Sequence, residues 1–304
     1  MKGNIKTYIA LALVLALLFV TPSKYSVSVR NIHGCNITGV PKYNWGTFWD
    51  HFYDAKPDLE KELKLVCNLG LNLVEIYIPY HCFPDLNYVK LKEFMRIAKK
   101  YGLMVIVTLN DDVYPDNVNY TYIELHMKAI IDAIGSMSNL FAFGVMNEYN
   151  GRFGTNMSFA KWCISKLREL TSKPIVFDLV YFWHMPWQIY VGLDVDYYSF
   201  SIYSIPPFDF AAETFDELLA SAEKVLGKPV FLGEFGWRTD GEDPSYTEEK
   251  QAEYYRKVLG EVHGKYGWLF WCFTDWVELD EQWGVYTVNF EPKPVVEVIR
   301  EVLS

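Results

Sequence analysis

The chain has 304 residues, a formal net charge of −10 and a pI near 5.1, with no basic run beyond its extreme N-terminus. That balance argues against a nucleic-acid surface, which needs clustered positive charge. About half of the residues are apolar (51%) and 17% are aromatic, enough to close one large core in a single domain.

In chain order, Lys2 and Lys6 precede an unbroken apolar run at 9–20. The run is shorter than the roughly 20 residues of a spanning helix and has the layout of a targeting segment. Residues 1–23 therefore read as a signal peptide or an uncleaved N-terminal anchor, with a membrane tether through 8–20. Residues 30–304 form the folded domain. The expected location is extracellular or cell-surface, and the expected state a monomer. The sequons at Asn36, Asn119 and Asn156 agree with export. Cys35, Cys67, Cys82, Cys163 and Cys272 allow two bridges and one free thiol. Cys67 and Cys272 lie in apolar runs that suit the core.

The folded part alternates between two periodicities. A short strand at 36–40 leads into a loop dense in rings, Tyr43, Trp45, Phe48, Trp49, Phe52 and Tyr53, which suits an open cleft. A helix at 58–68 stops at Gly70, and a strand follows at 73–78. A helix at 88–101 closes at Gly102, and a strand at 104–109 ends in Asn110-Asp111-Asp112. These acids, with Asp116, read as a solvated loop rather than a cation site. A helix at 123–137 precedes the apolar run 139–146, which ends on Asn147-Glu148. A helix at 157–170, strands at 175–179 and 197–203, and a helix at 215–226 come next. Then come a strand at 230–234, a helix at 248–262, a strand at 268–274 and a helix at 294–303. Eight strands, seven of them followed by a helix, with no hairpin signal, predict an α/β fold with a parallel sheet closed as one (β/α)8 barrel.

Two strands end on a lone carboxylate, Glu148 and Glu234. Carboxylates at the C-terminal mouth of a barrel suit glycoside hydrolysis. One protonates the departing glycosidic oxygen while the other attacks the anomeric carbon. No G-x-S-x-G, P-loop or dinucleotide fingerprint occurs, and His81 and His184 join no metal set. No cofactor or metal is expected.

The span 39–303 resembles the clan of retaining (β/α)8 glycosidases, most closely the glycoside hydrolase family five cellulases and mannanases. The likeness rests on Val145-Met146-Asn147-Glu148, Ser201-Ile202-Tyr203, Gly233-Glu234-Phe235-Gly236, Trp271, and Trp283-Gly284-Val285-Tyr286, in that order. It implies Glu148 as acid/base, Glu234 as nucleophile, and Asn147, Tyr203 and Trp271 at the sugar. Asn110, Trp45 and Trp237 are further substrate contacts, and Glu75 and His184 supporting residues. The implied substrate is a β-glucan or β-mannan. An exo-β-glycosidase or transglycosylase, and a non-catalytic carbohydrate-binding barrel, are the alternatives. Three positions depart from the family. Its strand-two Arg aligns with Glu75, its strand-three His near Asn110, and its strand-six His with Ser201. Alternation along the strand at 73–78 puts Glu75 on one face with Leu73 and Tyr77. There it either pairs with a basic side chain or turns to substrate.

Overall fold

The computed structural model describes residues 28–44, 46–181, 187–203, 214–241, 243–277 and 282–304. Eight parallel strands close into a barrel in sequence order: β1 (His33–Asn36), β2 (Leu73–Ile78), β3 (Met104–Leu109), β4 (Leu140–Gly144), β5 (Ile175–Val180), β6 (Tyr197–Ser201), β7 (Val230–Glu234) and β8 (Trp268–Phe270). Among the described residues, seven longer helices cover the outside: α1 (Phe52–Asn68), α2 (Val89–Lys100), α3 (Tyr120–Ile134), α5 (Ser158–Leu170), α6 (Phe215–Leu226), α7 (Glu248–Val262) and α8 (Val295–Leu303). A five-residue helix, α4 (Tyr149–Phe153), sits between β4 and α5. Among the described residues, the fifth crossover carries a 3-10 turn, Trp187–Tyr190, and no longer helix.

The outer face of the sheet packs on the helices as the main core, with Val74, Ile76, Val105, Val107, Phe143, Phe177, Leu232 and Phe270 among its strand residues. The lower inner face is a second apolar cluster: Leu73, Met104, Ile106, Ala142, Val176, Phe231 and Leu269, plugged below by Val29 and Ile32. Layered filling of this kind makes the barrel interior a core rather than a pore.

Several elements start away from their predicted positions. β1 lies at His33–Asn36 rather than 36–40. A Cβ at Gly34 would stand 2.4 Å from the Leu73 carbonyl oxygen, so the strand needs a glycine that reads as a loop signal. α1 begins at Phe52 rather than at 58, with Pro57 inside it. Its early turns bury Phe52, and Phe48 and Trp49 just before it are buried too. These rings of the supposed cleft loop are core. α3 begins three residues early because Asn119 caps it, accepting from the Tyr122 amide.

The cysteine and sequon expectations change as well. All five cysteines are free, and Cys67 is exposed rather than buried. Asn36, the first sequon asparagine, is fully buried and donates to the Gly233 carbonyl oxygen at 3.2 Å. The signal or anchor segment lies outside the described residues. No helix among those described is long and apolar enough to cross a membrane.

Candidate active site

One step above the apolar layer, the inward positions become polar. Asn36, Glu75, Thr108, Asp178 and Ser199 are all buried there. Two glycines make the room: a Cβ at Gly144 would overlap the Thr108 hydroxyl, and one at Gly233 would reach Ser199 at 2.9 Å and Asp178 Oδ1 at 3.3 Å. Asp178 accepts hydrogen bonds from the Ser199 hydroxyl and, at 3.5 Å, from Ser201.

Glu234 ends β7, where the β6–β7 register slips: Phe200 pairs with Leu232, but Ser201 pairs with Glu234. The extra residue is Gly233, and a bulge of this kind re-aims the side chain that follows. Glu234 is buried, and both carboxyl oxygens are held. Tyr77 donates to Oε1 at 2.5 Å and Tyr203 donates to Oε2 at 2.7 Å. Burial raises both phenol pKa values well above the ordinary tyrosine range, and the negative charge of Glu234 adds to this. Both therefore remain donors.

Glu148 does not end its strand; β4 stops at Gly144. Glu148 is the N-cap of α4, in a left-handed conformation (φ 46°, ψ 49°) that few non-glycine residues adopt. Its amide donates to Asp178 Oδ2 at 2.7 Å. Burial raises its pKa to about 7, with help from the charges of Asp178 and Asp111 and opposition from Arg152. Burial, then the charges of Glu148 and Asp178, push Glu234 well above the ordinary carboxylate range against the pull of its two phenol donors, so the donors have to decide which of the pair carries the charge. Two such neighbours do not both ionise freely. Glu234, with a donor on each oxygen, is built to carry the charge. Glu148 has no side-chain donor among the described residues and keeps the proton.

A cavity of about 400 Å³ opens at the barrel mouth, within the range of small-ligand sites; neither Glu148 nor Glu234 lines it, but a neighbour of each does. Its lining includes Tyr77, which donates to Glu234, and Asn147, which precedes Glu148; Trp271, Arg152, Asp111 and Tyr114 complete most of the wall. Trp271 is half-buried and sits 6.2 Å from the Tyr77 ring and 5.8 Å from that of Trp276. Arg152 pairs with Asp111 at 2.8 Å and lies over the Tyr114 ring.

Other predicted residues sit elsewhere. Asn110 is fully buried at a left-handed position and donates to the Val145 carbonyl oxygen at 3.0 Å. It ties the end of β3 to the exit of β4 instead of facing a sugar. Trp237 donates its indole N–H to the Ser245 carbonyl oxygen and packs against Tyr254, away from the cavity lining. Trp45 and His184 lie outside the described residues. The acidic loop is not simply solvated. Asp111 holds Arg152, and Asp112 accepts from the amides of Tyr80 and His81 and contacts the His81 ring.

Glu75 shares the inner face with Leu73 and Tyr77, and the Thr108 hydroxyl donates to it at 2.5 Å. The basic partner anticipated for it is absent among the described residues. Burial instead raises its pKa to about 8, reinforced by Asp178, so protonation takes the place of ion pairing.

Tyr77, Asp178 and Arg152 were not foreseen as site residues. A lone Asp within Ile175-Val176-Phe177-Asp178-Leu179-Val180 has to face the lumen, since the other face is covered by helices. Tyr77 is two residues beyond Glu75 on the same face. Arg152 sits on a helix too short to show any periodicity.

No protein-family model and no curated protein matches the chain. Solved structures do match. An exo-β-1,4-mannosidase from Opitutaceae bacterium strain TAV5 aligns at 16% identity with a TM-score of 0.69, over 90% of this chain and 59% of its own length. A GH5_18 protein from Streptomyces cattleya, in complex with GlcNAc, aligns at 15% and 0.68, over 90% and 80%. A GH2 β-galacturonidase from Eisenbergiella tayi aligns at 16% and 0.66, over 90% and 51%. The chain thus spans little more than half of the mannosidase and of the galacturonidase. At these identities the likeness is one of fold: the barrel is the (β/α)8 barrel of these glycoside hydrolases.

Proposed function

We propose that this chain is a β-glycoside hydrolase that works by double displacement with retention. The observation that carries the reading is the contrast between its two carboxyls. Glu234 is buried with a phenol donor on each oxygen, whereas Glu148 is half-buried beside Asp178, has its pKa pushed up to about 7 and has no such donor among the described residues. Glu234 attacks the anomeric carbon as a carboxylate, and Glu148 hands its proton to the departing oxygen. A glycosyl ester then forms on Glu234, which removes its negative charge. With that charge gone, the Glu148 carboxylate left by the first step stays ionised more easily; it takes a proton from the incoming water as the water oxygen bonds to the anomeric carbon and Glu234 departs as a carboxylate. Asn147 and Trp271, on the cavity wall, are the proposed sugar contacts.

The proposed substrate is a β-linked glucan or mannan, and export through residues 1–23 belongs to the same proposal. A 2-deoxy-2-fluoro glycosyl donor should label Glu234, as read by peptide mass spectrometry. Turnover on a panel of β-glucans and β-mannans identifies the sugar. No turnover and no label would instead mean a carbohydrate-binding barrel. Exo action is a second reading, supported by the modest cavity and by the exo-mannosidase among the similar folds. Product sizes separate it from endo cleavage.

A further inference from the structure

We propose that Asp178 is a positioning residue for the acid/base: its carboxylate accepts the Glu148 amide and thereby holds Glu148 in the left-handed turn that sets its side chain beside Glu234. This rests on the reading of Glu148 as acid/base.

Three observations support it. First, the conformation needs holding. Glu148 has a φ of 46°, and a non-glycine residue persists there only when its surroundings over-determine it. The 2.7 Å bond from its amide to Asp178 Oδ2 is such a constraint. Second, Asp178 is itself fixed. It is buried on β5, its other oxygen accepts from Ser199 on β6, and Gly233 leaves it the space. It links the exit of β4 to two neighbouring strands. Third, a carboxylate is more than the fold requires at this place. The apolar layer one step below fills the same lumen with Val176 and Phe231.

The charge of Asp178 has a further effect. The Ser199 and Ser201 hydroxyls and the Glu148 amide all donate to Asp178 and favour its ionised form against burial. The titratable groups facing this pair are Glu75 and Tyr77 from β2, Asp111 after β3, Arg152 on α4, Tyr203 after β6 and Glu234 on β7. Arg152 alone among them is cationic. Asp178 thus adds to the field that keeps the proton on Glu148.

The test compares Asp178→Ala, Asp178→Asn and Glu148→Gln on 2,4-dinitrophenyl and 4-methoxyphenyl β-glycosides of glucose and mannose. The first leaving group departs without protonation and the second needs it. Asp178→Ala should lose about 10²-fold in kcat/KM on the methoxyphenyl substrate, the cost of a misplaced catalytic group, and only a few-fold on the dinitrophenyl substrate. Asp178→Asn keeps an acceptor for the Glu148 amide but not the charge. It should stay within about 10-fold of the parent, while the alkaline limb of its pH–rate profile moves to lower pH by about one unit. Equal losses of Asp178→Ala on both substrates, or no loss, would overturn the proposal. If Asp178→Ala does not fold, the Asn variant decides: an alkaline limb that stays in place overturns it. Glu148→Gln separates the two levels. If it too loses equally on both substrates, the acid/base reading itself fails. If it discriminates and Asp178→Ala does not, only the role of Asp178 falls.

Discussion

The two inner layers of the barrel are built from the same strands two residues apart, yet they hold opposite chemistry. The lower layer is Leu73, Met104, Ile106, Ala142, Val176, Phe231 and Leu269. The upper one presents Asn36, Glu75, Thr108, Asp178 and Ser199, with glycines between them. The lower layer gains free energy from burial alone. The upper layer buries carboxyls with few cations, and protonation and hydroxyl donors offset much of the cost. Stability and reactivity are thus stacked rather than mixed, so substitutions in one layer should leave the property of the other nearly untouched.

The largest effect should come at the top. Glu234→Gln should remove turnover by on the order of 10⁴–10⁶-fold with the melting temperature unchanged or raised, as read by steady-state kinetics and calorimetry. Glu148→Gln should cost about 10²–10⁴-fold on substrates with poor leaving groups. Azide should rescue Glu148→Ala and yield a β-glycosyl azide. In the parent, kcat/KM should fall above pH 7 as Glu148 loses its proton.

The converse experiment is Phe231→Ala in the lower layer. Phe231 is fully buried, so denaturant titration should show a loss of about 3–5 kcal/mol, with kcat at moderate temperature within about two-fold. A large drop in kcat with little loss of stability would dissolve the distinction between the layers. Tyr77→Phe acts one step above the polar layer. Loss of one charge-assisted hydrogen bond to Glu234 should reduce kcat/KM by about 10- to 100-fold, and the acidic limb should move to higher pH.

The smallest effect sharpens the comparison through pH. The folded-state pKa of Glu75 is raised to about 8. Its contribution to stability is therefore fully present below the unfolded carboxyl pKa and is lost as pH rises through the folded value. Glu75→Gln removes that dependence and keeps an acceptor for Thr108. The melting temperature of the variant relative to the parent should rise by about 2–5 °C between pH 5 and pH 8. A difference that is flat across this range would place a cation near Glu75 after all.

The fold was largely legible because most strands are short, mainly apolar runs and the long helices show their period, as in Phe215–Leu226 and Glu248–Val262, whose predicted and observed limits coincide. What failed was punctuation that carries two meanings. Gly34 reads as a loop but permits a close strand approach, and Asn119 reads as a sequon but caps α3. At the site, Glu148 and Glu234 could be found because each interrupts an apolar run. Their supports were harder. Tyr77 looks apolar in such a run, and its hydroxyl matters only once the closed barrel brings β2 across to β7. The amide bond to Asp178 depends on a backbone turn that no side-chain pattern encodes.

The burial of Asn36 bears on how the protein can be made. Oligosaccharide transfer acts on extended, accessible sequons, while in the finished barrel this amide donates to the Gly233 carbonyl oxygen. A glycan attached at Asn36 during translocation would occupy the lumen where β7 has to close, so glycosylation and folding compete for one nitrogen. A secretory eukaryotic host would divide its product between a modified, unclosed fraction and an unmodified active one. A bacterial host, or the substitution Thr38→Val, would avoid that partition without touching the carboxyls.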